Sequence, residues 1–237
     1  MDPELESVLD RADELLSDLE DEYNNCLQAQ NVTERARNLT DEVLQKLRNA
    51  LDQTMSRAWG KYIGPKLSEE DRTGARVYFP IAGDPHSFRS IPARGYMADL
   101  DRVHKRLYDF LLKQQPFSSE ENRWLDLLAK IAAKGKHVRL TPQKRTETRR
   151  IKVSRPEGGS ASWTPSSVNF GGRVTVMGAP VDPRTQRIVS TPGVTEQVQI
   201  WVSFIFEGYG VNALGFCREA YQKTRALIEE MVNVLQL

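Results

Sequence analysis

Cysteine and histidine are scarce in this chain of 237 residues, with two of the first and three of the second. Cys26 and Cys217 stand far apart with no Cys-x-x-Cys neighbour, so neither a disulfide framework nor a zinc site follows. Both read as small buried hydrophobes in a reducing cytosol. His86, His104 and His137 fall in different segments, so a histidine metal site would need the fold to assemble it. No apolar run approaches the roughly 18 to 20 residues that cross a bilayer as a helix, and no membrane partner is expected. The opening Met-Asp-Pro-Glu-Leu-Glu is acidic where a secretory leader is basic and then apolar, which makes the cytoplasm the expected location. Also missing are a Gly-x-Ser-x-Gly elbow, a P-loop, a His-Glu-x-x-His helix and carboxylates clustered at metal spacing. No cofactor is implied, and no DNA-specific motif is present.

What remains is an ordinary folded composition, 39% hydrophobic and 27% charged, enough to bury a core in one large domain or two small ones. The net charge of +1 hides an asymmetry. Ten acids stand between Met1 and Glu22 against Arg11 alone. Nine Lys or Arg residues stand between Lys134 and Arg155 against Glu147 alone. Such a separation can steer a polyanion to one surface, or let the two segments attract each other. Both readings stay open.

Apolar residues at three- and four-residue steps predict a first helix over about 3–28, through Leu5, Val8, Leu9, Ala12, Leu15, Leu16, Leu19, Tyr23 and Cys26. Pro3 and the early acids suit a helix beginning. A second helix starts at the cap Thr33, is expected to bury Ala36, Leu39, Val43, Leu47, Ala50, Leu51, Met55 and Trp59, and ends at Gly60 and Gly64-Pro65. Residues 66–94 are irregular yet hold Val77-Tyr78-Phe79-Pro80-Ile81, an apolar island that marks an ordered excursion packed on the helices. Helices resume over 97–112 and again after Ser118-Ser119-Glu120-Glu121, closing at Gly135.

Beyond Gly135 the period changes to two. Strands are expected at Arg149 to Ser154, Arg173 to Met177, Arg187 to Val189 and, strongest, Val198 to Glu207, which reads as a central strand covered on both faces. Glu207-Gly208-Tyr209-Gly210 lacks the third glycine of a dinucleotide loop and reads as a turn at positive φ. A last amphipathic helix covers 212–235 and is expected to lie on the sheet. The fold class is therefore α+β: an N-terminal antiparallel helical bundle over 1–136, then a small antiparallel β-rich domain over 137–237 with a C-terminal amphipathic helix.

Several motifs stand in a suggestive order: Leu47-Arg48-Asn49-Ala50-Leu51-Asp52-Gln53, Tyr78-Phe79-Pro80-Ile81 with Phe88, Gln114-Gln115-Pro116-Phe117, Leu127-Leu128, and Lys136-His137-Val138-Arg139-Leu140. This order resembles a group of uncharacterised bacterial helical proteins, similar to the HEPN superfamily of helical bundles, over roughly Glu34 to Leu140. The resemblance implies a bundle that pairs as a homo-oligomer, with either a binding role or a metal-independent RNase activity of a toxin or defence system. Arg48 and Asn49 match the beginning of the superfamily's RNase motif, but Gln53 stands where its histidine would be. Cleavage through the 2′-hydroxyl needs a base and a cation to steady the phosphorane. Arginine can be the cation, whereas glutamine can only hydrogen-bond. The candidate catalytic residues are thus Arg48, Asn49 and, from elsewhere in the chain, His137.

The same residues admit a structural use. Arg48 and Asp52 lie one turn apart and can pair, while Lys136 and His137 can brace the end of the last bundle helix. RNA is the candidate nucleic-acid partner of the basic stretch, through Lys136, Arg139, Lys144, Arg145, Arg149, Arg150 and Lys152. That stretch carries no interleaved aromatics on which bases could stack, and a solvated strand face is the more common explanation of such a run.

Overall fold

The computed structural model describes residues 2–29, 31–90, 99–135 and 143–237. The leucine periodicity produces two long helices, α1 (Pro3–Ala29) and α2 (Glu34–Tyr62). The Thr33 hydroxyl accepts the Ala36 N–H at 3.0 Å and donates to Glu22 Oε1 at 2.5 Å, so one side chain caps α2 and ties it to α1. Two short helices follow in the irregular stretch, α3 (Glu69–Gly74) and α4 (Pro85–Ser90). The helix expected over 97–112 is two pieces, α5 (Leu100–Val103) and α6 (Lys105–Lys113). His104 interrupts it at φ −150°, turning its Nδ1 to accept the Leu107 N–H at 3.1 Å. Met97 and Ala98 lie outside the described residues. Helix α7 (Arg123–Gly135) and helix α8 (Ala213–Leu235, capped by Asn212) complete the α-helices among the described residues.

The strands are β1 (Gln143–Ser154), β2 (Ser160–Trp163), β3 (Val174–Val176), β4 (Ala179–Val181) and β5 (Thr195–Phe206). They form a three-stranded sheet in the order β2-β1-β5 and a separate β3-β4 hairpin. The protein is thus α+β, with N-terminal helices, a small β region containing antiparallel pairs, and a C-terminal helix. The chain divides into two compact units, a helical unit of Met1–Gln143 with Phe206–Leu237 and a β unit of Lys144–Ile205.

Helix α8 belongs to the first of these units, with the other helices. Its ties to α1 run antiparallel: Asn212 bonds the Tyr23 hydroxyl at 3.1 Å, Arg218 pairs with Glu20, and Arg225 pairs with Glu6 at 2.6 Å. Helix α2 also opposes α1, since Arg57 reaches Asp2 at 2.8 Å while Thr33 reaches Glu22. Helices α2 and α8 therefore lie parallel, and the Lys61 ammonium and Tyr62 hydroxyl bond the Gln236 and Leu235 carbonyls at their shared end. The seam is filled by fully buried Leu9, Leu15, Leu47, Leu51, Ile228 and Met231. Each such side chain contributes on the order of 1.5–3 kcal/mol on leaving water.

The core of the β unit is smaller. Ile151, Val153 and Trp163 are buried, with Phe170, Val176, Met177, Ile188 and Val194 packed on them. Met177 (φ 55°) and Gly178 (φ 80°) link β3 to β4 as a two-residue turn with both φ values positive, the form whose twist suits a hairpin. Residues 187–189 make an isolated bridge, Val181 to Ile188, rather than a strand. Strand β5 is at an edge of the sheet, not at its centre. Gly208 (φ 82°) and Gly210 (φ 69°) turn the chain after it.

Candidate functional site

Arg48 and Asp52 point from one side of α2 toward the excursion, and the two pair at 2.8 Å (Nη2 to Oδ1). The same Nη2 donates to the Phe79 carbonyl at 2.7 Å, and Asp52 Oδ1 accepts the Phe79 N–H at 2.8 Å. One residue's main chain is thereby held at both its donor and its acceptor. From the other side Gln115 completes the hold. Its Oε1 accepts the Ala82 N–H at 2.9 Å, and its Nε2 donates to the carbonyls of Pro80 (3.0 Å) and Leu111 (2.8 Å). Gln115 is fully buried, and Arg48 and Asp52 are 16% and 17% exposed. An extended segment has no ladder of its own, so its buried N–H and C=O groups need side-chain partners. Three of the motif blocks, around Arg48, Phe79 and Gln115, converge on this latch.

The latch fixes Phe79 inward and leaves neighbouring Tyr78 outward, 55% exposed. Between Tyr78 and α2 lies a groove of about 390 Å³ lined by Glu42, Gln45, Lys46, Arg48, Asn49, Asp52 and Tyr78. Asn49 is exposed beside Arg48. Gln53 does not share this groove. Five positions along a helix is about 140° of rotation, and Gln53 lines a different hollow with Glu4, Val8, Ser56 and Arg57. Lys136, His137 and Arg139 lie outside the described residues. The groove's described lining offers an arginine, a lysine, two carboxylates, two amides and a phenol, and no imidazole or thiol.

The described basic residues on β1 do not form one surface. Along β1 alternate residues face opposite sides. Arg145 and Arg149 share the side that leads to buried Ile151 and Val153, whereas Arg150 and Lys152 point the other way. The backbone of Lys144 begins the even set. Glu147 sits between Arg145 and Arg149 and pairs with both, at 3.5 Å for Arg149. Arg150 donates to the Ser162 hydroxyl across the strand pair at 2.8 Å, and Lys152 is exposed. The strand's alternation and Glu147 together disperse the positive charge that the sequence concentrates.

One titratable group escaped the sequence reading. Asp41 on α2 is only 6% exposed, and its Oδ2 has no hydrogen-bond partner among the described residues. Burial pushes its carboxyl up to about 6. Burial, with the Asp41 charge nearby, also pushes the Cys217 thiol up on the facing helix α8, which makes it a poor nucleophile. The only sequence signal was an acid three residues before a core leucine, Leu44. Among the described residues, no three His, Cys, Asp or Glu side chains come together to hold a metal ion, and no helix is long and apolar enough to cross a membrane. Compared with family models, curated proteins and solved structures, the chain has no match.

Proposed function

We propose that this chain is a binding module without catalysis, whose helical unit presents the groove between α2 and Tyr78 to a partner. The observation that carries the reading is the commitment of Arg48. Its Nη2 and Nε are spent on Asp52 and the Phe79 carbonyl, so the arginine acts as a brace rather than a free cation waiting for a phosphorane. Two further features support it. Gln53 lines a separate hollow, and the groove's charges cancel, Lys46 and Arg48 against Glu42 and Asp52. A polyanion is held by net positive charge; amides and a phenol over neutral charge suit a polar protein surface.

The test separates the two classes of function. Purified full-length protein with EDTA is incubated with a mixed RNA pool, and binding is measured at low and high salt. No cleavage and no salt-sensitive binding are expected. Cleavage that is lost in Arg48→Ala while the circular dichroism spectrum is kept would overturn the reading in favour of a metal-independent RNase.

A further inference from the structure

The two edges of the three-stranded sheet are built differently. Strand β2 makes one edge with four residues, entered through Gly158 (φ 109°) and Gly159 (φ 85°). Strand β5 makes the other with twelve, a length of about 40 Å at the usual rise per residue. A strand paired on one side turns the N–H and C=O groups of alternate residues away from its neighbour. Over 195–203, those groups face away from β1, and among the described residues no other strand pairs along that side.

Proteins blunt long edges with lysine, proline, bulges or a covering element. The segment 195–203 contains no lysine, arginine or proline. Its single charge, Glu196, is already spent. That carboxylate accepts from Arg187 at 2.6 and 3.0 Å and from the Ile188 N–H at 3.0 Å. The remainder is Thr, Gln, Val, Ile, Trp and Ser, with Val198 36% exposed. A charged partner finds nothing here to read. A copy of the same strand finds a full set of main-chain partners and no like-charge opposition, because a two-fold axis at Gln199 sets Glu196 opposite Val202 of the partner subunit.

We propose that β5 is the seam of a homodimer, in which 195–203 pairs antiparallel with the same segment of a second copy and joins two three-stranded sheets into one of six strands. Contacts of this kind are closed by symmetry, each copy offering the other the same strand. The seam lies on β5 and not on the groove beside Tyr78, so either proposal can fail alone.

Sedimentation velocity of the full chain across a wide concentration range tests it. The expected result is a dimer that Val198→Lys weakens by at least about tenfold in Kd, with the circular dichroism spectrum unchanged. Gln197→Lys, at an exposed position, is read in the same way and decides the matter if Val198→Lys fails to fold. Asp13→Lys, on the exposed acidic face of α1, should leave the dimer intact. A wild-type chain that stays monomeric throughout overturns the proposal. So does a dimer that survives the folded β5 variants, or one that Asp13→Lys dissociates while they do not.

Discussion

Gln115 in the helical unit and Gln186 in the β unit are both buried, and each spends its amide on the main chain of an irregular segment. Gln115 holds Ala82, Pro80 and Leu111. Gln186 accepts the Phe170 N–H at 2.7 Å and donates to the carbonyls of Phe170 (3.2 Å) and Pro183 (2.7 Å), while its own carbonyl accepts Trp163 Nε1–H at 2.9 Å. The surroundings differ. Gln115 is backed by helices with many fully buried leucines, whereas Gln186 adjoins a core of three buried side chains and sits at φ 59°. A polar bridge supplements packing in the first unit and stands in for it in the second.

The largest expected effect breaks that comparison if it fails. Gln186→Ala strands three main-chain groups, a loss of about 3 kcal/mol. Near-ultraviolet dichroism from Trp163 should melt well before the helical signal. Gln115→Ala loses as many bonds, yet its cost should spread through the helical unit as one lowered Tm, with no separate early transition. Equal early transitions in both variants would show that the two glutamines do the same work after all.

Asp41 sharpens the comparison, as a buried polar group with no bridge. Its folded pKa of about 6 lies above the ordinary aspartate value of 3.8, so between those values the folded state binds more protons than the unfolded. Stability therefore falls as pH rises from about 4 to about 6, by roughly 2 to 3 kcal/mol. Urea titrations across that range check the slope, and Asp41→Asn should flatten it and raise stability at neutral pH. The smallest effect belongs to the latch. Arg48→Ala should cost about 1 to 2 kcal/mol and speed amide exchange at Phe79, and Arg48→Lys should not restore it, because an ammonium cannot span the carboxylate and the carbonyl as a guanidinium fork does.

Much of the helical half was legible in the sequence. Leucine spacing marked α1 and α2 to within a few residues, Thr33 announced its own cap, and the i,i+4 spacing announced the Arg48–Asp52 pair. What that pair holds was not legible, because its partner is a main chain about 30 residues away and every residue carries the same backbone groups. Gln115 was hidden for the same reason. An amphipathic stripe says that α8 buries one side without saying against what, and apolar content says that β5 wants cover without giving its place in the sheet. The strand was assigned the centre of the sheet on that account, and it lies at an edge. The basic run was legible as charge, but the division of its residues on β1 between two strand faces emerges only from the strand's alternation.

The parallel lie of α2 and α8 has a consequence in time. Roughly 150 residues separate the end of α2 from the start of α8, and closing a loop of that length precedes any reward from the contact it makes. On the ribosome, α1 and α2 emerge as a hairpin whose leucine stripe has no lid until the whole β unit has been made. The β unit, local in its own contacts, has everything it needs earlier. Synthesis order thus makes the inserted unit an early folder and the helical unit a late one, with an exposed leucine surface in between that a nascent chain must shelter.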